Sequence, residues 1–236
     1  MQKLVVFSGA GMSAESGIST FRDSNGLWEN HNIQDVATPE AWQKNPELVQ
    51  RFYNERRKNI LTATPNQAHK LIAELEKHFE VQVITQNIDD LHERAGSSDV
   101  LHLHGNIRLA KSSGPTAQYT TEFYPVKGDS LLLDQNFCKD GYPLRPHVVW
   151  FGEAVPAYDD ALEIIQQADI FIVIGTSLVV YPVAGLVHEI PPACQAYYID
   201  PKADQQQMPA QYQCIAQTAT EGLQVLFSEL CKKHES

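Results

Sequence analysis

Cysteine is scarce in this 236-residue sequence: there are four, Cys138, Cys194, Cys214 and Cys231, and no pair has the two-residue gap of a metal knuckle or redox motif. A reduced compartment fits such scattered thiols. Long apolar runs are missing too, none reaching the ~20 residues that would span a bilayer, so no membrane partner is expected. The opening stretch, MQKLVVFSGAG, runs straight into a strand and a glycine turn, leaving no room for the three regions of a signal peptide. The expectation is an unexported, cytoplasmic protein. Basic clusters are equally scarce. Lys and Arg number 18 against 29 Asp and Glu, a net charge of −11, and no basic block could neutralise a row of phosphates. Nucleic acid is therefore not expected as a partner, whereas a lysine-bearing protein surface is electrostatically easy to approach.

What is present is enough apolar material, 43% of the chain, for one well-cored domain. Short β-branched and apolar runs recur at residues 4–7, 81–84, 100–103, 147–151, 169–174 and 196–199, and read as buried parallel strands. Between them, amphipathic stretches at 46–61, 66–79, 159–168 and 221–233 have helical spacing. This alternation predicts an α/β fold, a Rossmann-like doubly wound parallel sheet with ligands at the carboxyl ends of its strands. The rhythm breaks over residues 107–145, rich in Gly, Ser, Thr, Lys and Tyr around an apolar run at 131–133. A structureless loop of that length is unusual in a compact domain, so the stretch is read as a small inserted lobe within a single domain. The chain carries no internal repeat and no mark of an oligomeric state.

Directly after the first strand, LVVFSGAGMSAESGI sets Gly9, Gly11 and Ala14 where a backbone can approach a pyrophosphate. A tight turn without a ligand would look the same. Hydride-transfer enzymes with this turn also need a second strand ending in an acidic residue about 20 residues on. Here the chain instead enters STFRDSNGLWENH and a long helical excursion. An ordinary nicotinamide oxidoreductase is disfavoured.

Six motifs in order change the reading: GAGMSAESGI (9–18) with TFRDSNGLW (20–28), TQNID (85–89), His104-Gly105, VVWFGE (148–153) and GTS (175–177). Together they resemble the sirtuin family. The resemblance covers the chain from about Val5 to about Leu230 and fades only in the insert. It implies NAD as cofactor and acylated-lysine proteins or peptides as partners. Carried over residue by residue, it implies NAD contacts at Gly9, Ala10, Gly11, Ser13, Ala14, Gly17 and Ile18. Phe21, Arg22 and Trp28 would lie on a loop over the nicotinamide side. Gln86 and Asn87 would hold the ribose nearest the reaction, Ile88 and Asp89 the nicotinamide pocket, and Gly175, Thr176 and Ser177 phosphate and ribose. Asp200 and Ala219 take adenosine-side positions, Asp200 standing where many members have Asn. Val149, Phe151 and Gly152 would meet the substrate.

In the mechanism so implied, the acyl oxygen attacks the nicotinamide ribose, nicotinamide leaves, and a base activates a ribose hydroxyl against the resulting O-alkylimidate. Histidine suits that proton transfer near neutral pH, which assigns His104 as base beside Asn87. His102, two residues earlier on the same strand face, is expected to be a packed or solvent-facing imidazole.

On the helix predicted over 46–61, Arg56 falls on the apolar stripe of Leu48, Phe52 and Ile60, and a guanidinium facing a core needs an anion. Tyr53 stands three residues before it, on a neighbouring point of one face. A phenol and a guanidinium together suit a carboxylate, and FYNERR (52–57) resembles the Tyr-x-x-Arg signature of class III sirtuins, which remove succinyl and malonyl as well as acetyl. The alternative pairs Arg56 with an internal carboxylate. The insert departs from the family: most members hold zinc there with four cysteines, but only Cys138 is present, with Ser112 and Gln135 near other ligand positions. One thiolate cannot close a tetrahedral site, so no structural zinc is expected, and stability is assigned to packing of Phe123, Tyr124, Leu131, Leu132, Leu133 and Phe137. Two rival functions stay open, ADP-ribosyl transfer or NAD hydrolysis on the same scaffold, and a non-catalytic NAD-binding module.

Overall fold

The structure is a computed structural model that describes residues 1–19, 27–28 and 31–234, with the main chain alone for 27, 28, 233 and 234. Its strands are β1 (Lys3–Ser8), β2 (Leu27–Trp28), β3 (His31–Asn32), β4 (Glu80–Thr85), β5 (Val100–His102), β6 (Gly105–Ser112), β7 (Tyr124–Pro125), β8 (Leu144–Val148), β9 (Ile170–Ile174), β10 (Gln195–Ile199) and β11 (Tyr212–Ile215). Its helices are α1 (Gly11–Ala14), α2 (Ile33–Val36), α3 (Pro39–Lys44), α4 (Pro46–Thr62), α5 (Gln67–Leu75), α6 (Leu91–Ala95), α7 (Tyr158–Ile165) and α8 (Ala219–His234).

Six parallel strands form the main sheet in the order β11-β10-β9-β1-β4-β5. Side chains alternate across a strand, so β1 sends Leu4 and Val6 to one face and Val5 and Phe7 to the other, and all four are buried. On the first face α5 and α8 pack through Ala68, Leu71, Ile72, Leu75, Leu223, Leu226 and Leu230, at the spacing that keeps one helix side inward. On the second, Ala161 and Ile165 of α7 join Val183, Leu186 and Val187 against Phe171 and Val173. Helices on both faces make the sheet doubly wound. The sequence of strands reverses direction at β1, flanked by β4 and β9, and the carboxyl ends of β1 and β9 open the crevice where such sheets bind ligands.

Helix ends follow local chemistry. Asn45 caps α4, its side chain accepting from the Leu48 N–H at 3.0 Å, with Pro46 in the first turn. Asn66 and His69 form a capping box at the start of α5, and α6 stops at Gly96, whose φ of 108° only glycine adopts cheaply. Among the described residues no helix is long and apolar enough to cross a membrane.

Two sequence expectations need correction. Residues 147–151 are not a strand of the parallel sheet: β8 ends at Val148 and pairs antiparallel with β6 in a separate three-stranded sheet, β7-β6-β8. Its apolar character is explained by a different core, in which Val148 and Trp150 pack with Val49, Phe52, Tyr53 and Ile60 of α4. Strand β11 was not anticipated, because YQCI pairs only along β10 and Gln213 faces out.

The small sheet has its own core of Ala110, Val126, Leu131, Cys138 and Leu144. Leu132, Phe123 and Phe137, expected inside, are exposed. Besides the apolar packing of Ile107 and Val148 on α4, polar bonds tie this part to the rest: Gln50 Nε2 donates to the Leu131 carbonyl at 2.8 Å, Asn54 Nδ2 to the same oxygen at 3.0 Å, and Asn54 Oδ1 accepts from Leu131 N–H at 3.0 Å. Arg57, fully buried, adds donations to the carbonyls of Ile107 at 2.8 Å and Asp129 at 3.3 Å. Each bond satisfies a backbone group that would otherwise be costly to bury.

Candidate active site

Two backbone turns cross at the switch point. Gly9 N–H donates to the Ile174 carbonyl at 3.0 Å and Gly11 N–H to the Gly175 carbonyl at 2.7 Å. A Cβ on Gly175 would lie 2.3 Å from the Met12 nitrogen, and its φ is +63°. Glycine is required there because two main chains touch, before any ligand is considered. Above this crossing lies a cavity of about 520 Å³, a size suited to a cofactor-sized molecule.

One wall is the β4 carboxyl end. Gln86 Nε2 donates to Thr176 Oγ1 at 3.1 Å, bridging to the far turn. Asn87 is buried and donates through Nδ2 to the Gly9 carbonyl at 3.0 Å and to Ser13 Oγ at 3.2 Å. Asp89 accepts from Ser13 Oγ at 2.9 Å and from Leu91 N–H at 3.1 Å, and burial pushes its carboxyl up from its ordinary value.

The two histidines after β4 grip successive carbonyls. His104 Nδ1 lies 3.0 Å from the Gln86 oxygen; a carbonyl only accepts, so Nδ1 carries the hydrogen and Nε2 keeps a lone pair. Burial lowers the His104 pKa, against the opposing pull of that carbonyl. His102 Nδ1 meets the Asn87 carbonyl at 3.0 Å and its Nε2 meets Glu93 Oε1 at 2.7 Å. Burial works against its charge, yet Glu93 and the carbonyl prevail and raise its pKa. It is a packed imidazole, as expected, and it supports the main chain of the β4 end.

The opposite wall comes from α4 and the turn after β8. Tyr53 and Arg56 are both buried, at 0% and 5% exposure, and both border the cavity with Ile60 and Trp150. Trp150 Nε1 donates to Tyr53 Oη at 3.1 Å. Burial holds the Tyr53 phenol well above its ordinary pKa, so it stays protonated. Beneath Trp150, the Arg145 guanidinium sits 3.2 Å from the ring centroid and binds both oxygens of Glu153, at 2.7 and 2.9 Å.

Most of the residues singled out in the sequence border this one cavity: Ala10, Gly11, Ser13, Ala14 and Ile18; Gln86, Asn87, Ile88, Asp89 and His104; Gly175, Thr176, Ser177, Asp200 and Ala219; and Tyr53, Arg56, Val149, Phe151 and Gly152. Gly9 lies behind the wall against Thr176, and Gly17 is an exposed turn at φ 84°. Phe21 and Arg22 fall outside the described residues, and of Trp28 only the main chain is described. Asp200 is buried and accepts from the Lys202 N–H at 3.0 Å. Sequence reasoning missed Lys202 and Trp150 on the cavity wall. For Trp150 a signal existed: an indole inside an apolar run needs a partner for its N–H.

A parallel, doubly wound sheet with glycine turns crossing under a cofactor-sized cavity, and a buried histidine on its rim, has the build of a nucleotide-using α/β enzyme. More narrowly, residues 9–182 match the Sir2 family, and the chain belongs to it. An NAD-dependent protein deacylase of Helicobacter pylori is 50% identical over 231 residues, 98% of each chain. One of Bacteroides thetaiotaomicron is 50% identical over 228 residues, 96% of this chain and 97% of its own length. Among solved structures, a Sir2 homologue in complex with NAD is similar with a TM-score of 0.86 and 38% identity, covering 98% of this chain and 90% of that one.

Proposed function

We propose that this protein removes acidic acyl groups, succinyl and malonyl, together with acetyl, from lysine side chains of proteins. It is an NAD-dependent protein deacylase; the acyl class is our reading. The observation that carries it is the buried pair Tyr53 and Arg56 on the wall of the cavity that also holds His104. An acetyl methyl would gain nothing from a guanidinium in an apolar wall, whereas a terminal carboxylate would meet a charge-assisted partner and a phenolic donor.

The residues present fit NAD. Ala10 to Ala14 and Gly175 to Ser177 would hold the pyrophosphate, Gln86 and Asn87 the nearer ribose, and Asp200 with Ala219 the adenosine side. NAD, when bound, would supply an activated ribose carbon as acyl acceptor and nicotinamide as its leaving group. His104 accepts a ribose hydroxyl proton at Nε2, the nitrogen left basic by the bond from Nδ1 to Gln86. Asn87, held by Gly9 and Ser13, fixes the ribose. The acyl-bearing lysine would lie along Val149, Phe151 and Gly152.

A structural zinc does not fit the small sheet. Its one thiol, Cys138, packs among Ala110, Val126, Leu131 and Leu144, and a tetrahedral site needs three more thiolate or imidazole donors, whereas residues 106–146 hold no second cysteine and no histidine. The polar ties from α4 supply fixation in its place. A cytoplasmic setting accords with four free cysteines.

Mass spectrometry of succinyl-, malonyl- and acetyl-lysine peptides incubated with NAD tests the reading. Loss of all three acyl groups, with matching O-acyl-ADP-ribose and nicotinamide, is expected, with the acidic acyls processed at least as efficiently as acetyl. Turnover of acetyl alone would overturn the acyl class, and free or protein-linked ADP-ribose without acyl loss would favour ADP-ribosyl transfer.

A further inference from the structure

The acyl wall has an internal support. Trp150 is 2% exposed, and its indole N–H reaches across to the phenolic oxygen of Tyr53, 97 residues away in sequence, at 3.1 Å. The indole is itself held from two sides. Its backbone N–H donates to Glu153 Oε2 at 2.9 Å, and its ring lies under the Arg145 guanidinium, which Glu153 clamps with both oxygens and the Val148 carbonyl accepts from at 2.9 Å. Arg145 and Glu153 are each about 5% exposed at the side chain. A buried ion pair is a costly way to hold one ring, unless the ring's direction matters.

That direction decides how Tyr53 can act. A phenol oxygen accepting from an indole has the position of its own O–H restricted to the remaining tetrahedral directions. An unanchored phenol would lose rotor freedom on meeting a ligand, and an anchored one has lost it already.

We infer that Trp150 is a positioning residue for acyl specificity: its indole N–H orients the Tyr53 hydroxyl toward a carboxylate at the end of the acyl chain, with Arg145 and Glu153 fixing the indole. This rests on the acidic-acyl reading above. Trp150 touches the reacting atoms nowhere in the scheme, and acts through Tyr53.

The test is a double-mutant cycle of Trp150→Phe and Tyr53→Phe, read as kcat/KM for succinyl- and acetyl-lysine peptides, with Arg56→Met measured alongside. Trp150→Phe keeps a ring under Arg145 and removes the donor. It lowers the succinyl-to-acetyl ratio by about 2- to 12-fold, the range of one neutral hydrogen bond, and adds nothing to the ratio once Tyr53 is Phe. Equal loss of both activities, or a full additional loss in the double variant, would make Trp150 packing alone and overturn the inference. If Arg56→Met leaves the ratio unchanged, the acidic-acyl reading falls and this inference with it; if Arg56→Met collapses the ratio and Trp150→Phe does not, only the role of Trp150 falls. A second measurement does not depend on the Trp150 variant folding. The chain has three tryptophans, Trp28, Trp42 and Trp150, and in a 15N–1H spectrum one indole N–H resonance moves upfield in Tyr53→Phe. No movement of any indole resonance would refute the bond in solution.

Discussion

The two ends of the cavity are built by different means. At the reacting end, His104, Gln86 and Asn87 come from the ends of adjacent strands, β4 and β5; main-chain carbonyls hold His104 Nδ1 and Asn87 Nδ2 at 3.0 Å, and Gln86 Nε2 donates to Thr176 Oγ1 at 3.1 Å. At the acyl end, Tyr53, Arg56 and Trp150 come from a helix and a turn far apart in sequence, and the contact between them joins side chain to side chain. Groups fixed by a parallel sheet inherit its rigidity, whereas groups fixed by one another can be changed in concert without moving the sheet. On the proposed function, chemistry would belong to the first end and acyl choice to the second.

Five substitutions or conditions sharpen this contrast. The largest effect belongs to His104→Ala, expected to lower deacylation of every acyl peptide by about 10²-fold or more while NAD affinity, read by calorimetry, survives. Near-normal turnover would move the base elsewhere. Arg56→Met should cut kcat/KM for succinyl and malonyl peptides by roughly 10- to 150-fold, the cost of one charge-assisted contact, while acetyl turnover falls far less. Proportional loss of all three would make the acyl end structural. Tyr53→Phe should act in the same sense by about 2- to 12-fold, one neutral donor being lost.

Acidity separates the ends by a smaller margin. Burial lowers the His104 pKa from its ordinary 6.5, so its basic form persists as pH falls below that value and is lost only on passing the lowered pKa. The acid limb of kcat/KM should therefore have its midpoint below pH 6.5 for acetyl and succinyl peptides alike. A midpoint above 6.5 would show that a different group limits the rate. The last expectation is no effect at all: purified protein should hold far less than one zinc per chain, and a chelator should leave its unfolding midpoint unchanged. Stoichiometric metal by elemental analysis would contradict it.

Legibility in the sequence follows the same division. The 4–7 and 169–174 runs announced β1 and β9 because strands covered on both faces must be apolar throughout. The glycine turn and His104 were legible because each is a local motif. For Trp150 only the need of its indole N–H for a partner was legible; that the partner is Tyr53 was not, since Tyr53 is set opposite it only by the docking of β8 on α4. Residues 147–151 misled for a related reason: burial makes a run apolar whichever core supplies it. Leu132 and Phe137 were assigned inward on hydrophobicity, but the small sheet is too thin to cover them.

Helix α4 serves two masters along neighbouring stripes. Gln50, Asn54 and Arg57 grip the small sheet, while Tyr53 and Arg56 face the cavity one position away. A lobe transplanted from a relative with different residues at 50, 54 and 57 would dock through this helix and turn it, and so would alter which acyl chains are accepted. In this protein, then, the small sheet and the Tyr53–Arg56 wall share one helix, and a change in how the sheet docks reaches that wall through α4.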